Sequence, residues 1–230
     1  MEQQYIVASC KSWHKSGFDA IGIQELERWF WVETPDELEE CLRQVIKPRY
    51  IFFLHWNWRV PERIYSNHEC VCFHMTDVPY GRGGSPLQNL IVAGYTTTKM
   101  TALQMVGEMD AGPVYCKYDL TLEGRAIDIY LRASDISFEI IQWIVQKQPV
   151  PAPQQGEPVL FSRRRPDQSL LPLAGELSRL YDHIRMLDAP TYPPAFLEYG
   201  EFRIELRDAK LDGQDLVAQV IVRRLDNNMD

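Results

Sequence analysis

The chain predicts an α/β sheet protein with a small β appendage at its C-terminal end, and three observations carry that expectation. RYIFFLHW, residues 49–56, is a near-continuous apolar and aromatic run ended by Pro61, as expected of a strand covered on both faces. Strand-like runs and helical periodicities alternate through the first 150 residues, the pattern of a layered α/β domain. Near the end, FRIEL (202–206) alternates apolar and charged side chains, Asp212-Gly213 signals a turn, and LVAQVIVRR (216–224) supplies a partner strand,. Residues 1–150 therefore read as one domain, and 151–230 as a connector, a helix and a small β-hairpin subdomain.

In chain order, strands are expected at residues 5–9 and near 28–32. A helix follows, with Thr34 as cap, Pro35 at the first helical position and Glu37 completing a Thr-x-x-Glu capping box,. Leu38, Cys41, Leu42 and Val45 fall at helical spacing, with Glu39, Glu40 and Arg43 outside,. After the 49–56 strand, ECVCFHM (69–75) reads as its neighbour, and Ser85 and Pro86 open a short helix through Leu87, Leu90 and Ile91,. TALQMV (101–106) and GPVYCKYDL (112–120) read as a further strand pair. From 125 to 146, Ile127, Leu131, Phe138, Ile141 and Val145 keep helical register,. Pro149, Pro151, Pro153 and Pro158 mark an extended connector, and Leu177, Leu180, Ile184 and Leu187 predict a last amphipathic helix.

At 230 residues and 45% apolar content the composition is that of an ordinary soluble domain with one main core,. No apolar run reaches 18 residues, and MEQQYIVASCK lacks a basic stretch followed by a long apolar block. The expectation is a cytoplasmic protein without membrane span or signal peptide. Five cysteines (Cys10, Cys41, Cys70, Cys72, Cys116), odd in number and unpatterned, suit a reducing compartment,. A formal charge of −8 argues against general nucleic-acid binding, because phosphate contacts need clustered Lys and Arg. The run Arg163, Arg164 and Arg165 leaves room for a local basic patch.

The chemistry is concentrated in FHMTDVPYGRGGSPLQNLI (73–91) and MDAGPVY (109–115). His74, Pro79, Arg82, Gly83 and Pro86 stand at fixed spacing, followed by Asp110, Ala111 and Gly112. This frame resembles the core of the folate-dependent formyltransferases, over residues 50–150 and more weakly to the C-terminus. The resemblance implies a Rossmann-like formyltransferase sheet, abridged at the N-terminus because only about 45 residues precede RYIFFLHW,. It also implies 10-formyltetrahydrofolate as formyl donor, His74 as oxyanion donor or proton relay, and Asp110 as the carboxylate that orients it. The family's Asn-x-His would put asparagine at position 72, where this chain has Cys72. A thiol is a poor amide substitute, and Asn57, after the preceding strand, is the candidate third catalytic group, alongside the alternative that it only solvates a turn.

By the same resemblance, Met105, Val106, Gly107 and Glu108 correspond to the pterin-binding loop, with Trp56 and Trp58 as part of its wall or as ordinary aromatic packing. Thr76, Tyr80, Gly81 and Arg82 lie where substrate passes. Lys11, Ser12, Trp13 and His14 follow the first strand, a position at which α/β folds receive phosphate-bearing substrates; a surface turn is the other reading. GRGG (81–84) lacks the spacing and the Lys-Ser/Thr of a phosphate loop,. HECVCFH (68–74) places His68, Cys70, Cys72 and His74 in line along a strand, which cannot converge tetrahedrally on zinc, so no metal is expected. A relative acting on initiator tRNA would be expected to carry a basic C-terminal module, yet residues 151–230 hold 10 basic against 13 acidic side chains. The expected acceptor is therefore the amine of a nucleotide-linked amino sugar, in line with the similarity of residues 184–206 to the tails of sugar formyltransferases. Nucleic acid and membrane are not expected as partners, and self-association is left open. Other amine acceptors, aminoacyl-tRNA among them, and a folate- or metal-binding protein without turnover are the alternatives.

Overall fold

The computed structural model describes residues 3–21, 27–44, 47–190 and 192–225. Its elements run β1 (Gln3–Ala8), α1 (Lys15–Asp19), β2 (Glu27–Val32), α2 (Pro35–Gln44), β3 (Tyr50–Phe53), α3 (Glu62–Tyr65), β4 (Cys70–His74), β5 (Tyr80–Gly83), α4 (Pro86–Val92), β6 (Thr97–Gln104), β7 (Val114–Thr121), α5 (Ala126–Lys147), β8 (Val159–Phe161), α6 (Leu177–Arg185), β9 (Ala195–Tyr199), β10 (Phe202–Asp212) and β11 (Asp215–Arg224). Among the described residues no helix is long and apolar enough to cross a membrane. The α/β class is borne out, with a mixed main sheet and a separate small antiparallel sheet.

The chain divides into two compact units. The first comprises Met1–Gly83, Thr98–Leu120 and Tyr130–Leu160; the second comprises Gly84–Thr97, Thr121–Ile129 and Phe161–Asp230. In the first, the sheet order is β2-β1-β3-β4-β6-β7. β2, β1, β3 and β4 run parallel, and β6 joins β4 antiparallel, with Cys72 beside Leu103 and His74 beside Thr101. β3 is buried on both faces, as the RYIFFLHW run required, and so is most of β1 beside it. Ile6, Ala8, Ile51, Phe53 and Cys70 share one cluster with Val32, Leu38 of α2 and Ile64 of α3. The opposite side is aromatic: Tyr5 stacks on Trp29, and Phe52 meets Trp29, Tyr50 and Phe73.

Several expectations are corrected by tertiary context. β3 ends at Phe53, short of residue 56, because His55 adopts φ 45 and turns the chain out of the sheet. The Thr34 hydroxyl accepts the Glu37 N–H at 3.2 Å as expected, but the Glu37 carboxylate takes the N–H of Glu33 at 2.7 Å rather than that of Thr34. Val45 lies outside the described residues. In α5 the buried stripe is Ile129, Ala133, Ile140, Ile141 and Ile144, while Leu131 points outward at 44% exposure; a helix this apolar offers two registers, and packing selects one. α1 and α3 were not expected, nor was the pairing of the Gly-rich β5 with β8 in the connector.

In the second unit, Ser85 and Pro86 open α4 as expected, with Ser85 as its N-cap residue at φ 50, but the Ser85 hydroxyl makes no cap bond and accepts the Arg164 N–H at 3.0 Å instead. Leu177 is exposed, and α6 buries Ile184. The expected hairpin is present as β10–β11, with Asp212 opposite Asp215, and it is extended by β9 into a three-stranded antiparallel sheet. β9 follows Pro193 and Pro194 and carries little alternation of its own.

Leu38, at 2% exposure, is the fully buried anchor of α2 in the first unit's aliphatic cluster. Leu38→Ala should lower stability by about 2–5 kcal/mol, read by equilibrium denaturation.

Candidate active site

The sequence-predicted pair meets in the first unit. His74 is the last residue of β4, so its side chain stands at the carboxyl end of the parallel strands, where α/β sheets open a crevice,. The ring is 7% exposed. Nε2 lies 2.7 Å from the Gly81 carbonyl and, since a carbonyl only accepts, carries a hydrogen,. Nδ1 faces the Asp110 carboxylate, with Oδ2 at 3.5 Å. The same Oδ2 accepts the backbone N–H of Gly83 at 2.9 Å. One carboxylate thus ties the loop after β6 to strand β5 and faces the imidazole.

The Asp-x-Gly spacing has a steric cause. Asp110 sits at φ 53, a left-handed conformation that Asp tolerates better than most residues. Gly112 passes so close to β6 that a Cβ there would lie 1.7 Å from the Gln104 carbonyl oxygen. The loop then closes on the sheet through Gln104 N–H to Pro113 O and Met105 N–H to Cys70 O, both 2.8 Å.

Gln154, in the connector, completes the arrangement and was not foreseen. Its Nε2 donates to the carbonyls of Asp110 and Gly112, each at 2.8 Å, and its Oε1 accepts from Arg82 Nη2 at 2.8 Å and Nε at 3.0 Å. The Arg82 guanidinium also meets Glu108 at 3.4 Å. A glutamine in a proline-rich connector carries no local signal of this role.

The remaining candidates fall around this centre. Thr76 is fully buried and donates to the Gly81 carbonyl at 3.3 Å, which makes it a support of the β5 turn. Tyr80 is half-buried, and Gly81 takes φ 76. Cys72 is half-buried on β4; burial, the Asp110 carboxylate and Cys70 raise its thiol's pKa and keep it protonated. Asn57 is exposed in the loop after β3. Trp56 and Met105 both pack on the aliphatic cluster, and Trp58, 43% exposed, meets Trp56 edge-on at 4.9 Å. Val106, Gly107 and Glu108 are exposed beyond Met105. Ser12, Trp13 and His14 form a short 3-10 turn after β1, with the Lys11 ammonium 5.6 Å from the Trp13 ring. Cys70 belongs to the apolar cluster, and among the described residues no three His, Cys, Asp or Glu side chains gather as a metal site.

Gly112→Ala should displace the Asp110 loop and destabilise the protein by about 1–3 kcal/mol, read by thermal denaturation, because the added methyl meets backbone that cannot rotate away.

Comparison with known proteins places this geometry. A family model described as methionyl-tRNA formyltransferase, C-terminal domain, matches residues 166–223. Curated methionyl-tRNA formyltransferases of Francisella tularensis are 24% identical over 185 residues, 75% of this chain, and the match spans 58% of their length. At low identity the fold is shared with HypX from Aquifex aeolicus, solved with tetrahydrofolic acid (14% identity, 91% of this chain and 38% of that one, TM-score 0.72). It is shared too with a sugar N-formyltransferase from Shewanella sp. (12%, 95% and 97%, TM-score 0.61). A solved structure described as methionyl-tRNA formyltransferase from Clostridium thermocellum is 40% identical, covering 96% of this chain and 99% of that one, with a TM-score of 0.93. On that identity across nearly the whole of both chains, this protein belongs to the formyltransferase family.

Proposed function

We propose that the protein is an N-formyltransferase that moves the formyl group of 10-formyltetrahydrofolate to an amine. The observation that carries this reading is the buried His74 ring set between the Gly81 carbonyl and the Asp110 carboxylate at the carboxyl end of the sheet. The donor supplies an activated formyl carbon whose bond to the folate nitrogen breaks as the amine attacks. A flat heterocycle finds apolar surface at Trp56, Trp58 and Met105 and backbone groups at Val106 to Glu108, so the residues present fit it. His74, whose Nε2–H rests on the Gly81 carbonyl, would exchange that partner for the formyl oxygen as negative charge develops there, and then pass a proton from the amine towards the folate nitrogen. A ring that has taken up that proton is a cation facing Asp110, the charge state a neighbouring carboxylate stabilises.

For the acceptor, the 40% identity to a structure described as methionyl-tRNA formyltransferase favours methionyl-tRNA over the nucleotide-linked amino sugar expected from composition. The amino sugar stays as a second reading on one observation, the net charge of −8 with an acidic balance beyond residue 150, which opposes phosphate-backbone binding,. Incubation with 10-formyltetrahydrofolate and a panel of methionyl-tRNA and nucleotide amino sugars, followed by mass spectrometry, tests both. Addition of a formyl group to one acceptor is expected; acetylation from acetyl-CoA, with no formyl product, would overturn the function.

His74→Ala and Asp110→Asn should each lower turnover by about 100-fold or more in folded protein, measured by single-turnover kinetics. Asn keeps the size and the left-handed backbone tolerance of Asp110, so its loss reports charge.

Asn57 is proposed as the amide donor in place of Cys72. Asn57→Ala should then lower turnover strongly with folate binding nearly intact, because such a hydrogen bond strengthens only as charge develops, while Cys72→Ala is mild. The reverse ranking would move the third group to Cys72 or its backbone.

A further inference from the structure

A second group of polar side chains lies in the same unit beside the pair and has no role in the chemistry above. β3 and β4 are parallel neighbours with Phe53 beside Cys72. Two residues further along each chain stand His55 and His74, so the two imidazoles emerge at the same end of adjacent strands. His55 Nδ1 lies 2.8 Å from His14 Nε2, and His14 Nδ1 lies 2.8 Å from the hydroxyl of Ser134 on α5. The His55 ring is held edge-on by Trp13 at 5.7 Å and Tyr130 at 5.0 Å, which stack on each other at 5.3 Å and 3°. Its backbone φ of 45 is the turn that swings the ring out of strand β3.

The relay can run in one of two senses, set by where the Ser134 hydroxyl hydrogen points,. Ser134 has one hydroxyl hydrogen, and the Trp13 carbonyl at 3.4 Å can only accept it,. With that hydrogen on the Trp13 carbonyl, Ser134 Oγ accepts from His14 Nδ1–H, His14 Nε2 is bare and accepts from His55 Nδ1–H, and His55 Nε2 keeps its lone pair; the hydroxyl hydrogen on His14 Nδ1 instead would reverse every donor, and the proposal below takes the first order,. Burial, reinforced by His55, pushes His14 down to about 2; burial, then Lys11 and His74, pushes His55 down to about 4. Both rings are neutral near pH 7.

Formyl transfer needs a donor at the formyl oxygen and an acceptor at the amine, whose lone pair must point at carbon while an N–H points elsewhere. His74 supplies the first, and takes the amine's proton only after the new bond to carbon has formed. We propose that His55 supplies the second: its Nε2 lone pair accepts a hydrogen bond from the incoming amine, and His14 and Ser134 are positioning residues that hold the ring in that tautomer. The assignment rests on the formyl-transfer reading and adds to it the residue that orients the nucleophile.

Two measurements on the full chain test this. Nitrogen-15 NMR of the histidines at pH 7 should find the His55 hydrogen on Nδ1 and none on Nε2; a hydrogen on Nε2 overturns the proposal. Kinetics then use His55→Asn, which tolerates the left-handed backbone, and Ser134→Ala with Ser134→Thr as its conservative partner. The acceptor is methionyl-tRNA or the nucleotide amino sugar, whichever gives product in the panel above, and affinity for 5-formyltetrahydrofolate is measured in parallel. His55→Asn and Ser134→Ala should raise KM for the acceptor about tenfold, the scale of one lost hydrogen bond, with folate affinity unchanged and Ser134→Thr near wild type. An unchanged acceptor KM in His55→Asn, or an equal fall in folate affinity, overturns the assignment while leaving formyl transfer standing. Wild-type protein that neither binds 5-formyltetrahydrofolate nor formylates any acceptor overturns both.

Discussion

The site depends on one steric constraint, the passage of residues 110–112 against the end of β6. Only a residue without a side chain can lie where Gly112 meets the Gln104 carbonyl, and Asp110, two residues earlier in the same loop, faces His74. From there the carboxylate reaches both the Gly83 N–H and the His74 ring. The backbone bonds of Gln104 and Met105 and the two bonds from Gln154 fix the loop at both ends. A buried carboxylate needs such partners, because an unpaired charge away from water is costly.

That arrangement belongs to a candidate site gathered at one end of the sheet. The parallel strands β1, β3 and β4 deliver the turn carrying Trp13 and His14, then His55, then His74, to the same edge. The antiparallel β6 returns the chain so that its following loop comes back over β4. β6 ends with Gln104 beside Val71, at the amino end of β4, so the loop that follows runs back along the strand to bring Asp110 to His74.

The imidazoles differ by environment rather than by type. His74 touches a carbonyl and a carboxylate. His55 and His14 face each other, a hydroxyl and aromatic rings, with Lys11 nearby, and burial keeps them neutral. Three histidines in one region therefore sit in environments of different character.

Local sequence was sufficient for what local physics decides. The apolar run at 49–56 announced a doubly covered strand, Thr34 and Pro35 announced the start of α2, and Asp212-Gly213 announced the β10–β11 turn, because each rests on neighbours within a few residues. His74, Arg82, Asp110 and Gly112 were legible as a spaced motif, since steric demands such as that on Gly112 leave a mark in residue type. The early end of β3, the outward turn of Leu131, the pairing of β5 with β8 and the third strand β9 were decided only by tertiary structure. So were the reach of Gln154 across 44 residues to Asp110 and that of Ser134 across 120 residues to His14. A polar side chain's partner is set by which distant backbone or ring the fold brings within hydrogen-bond distance, and no periodicity or short spacing encodes that meeting.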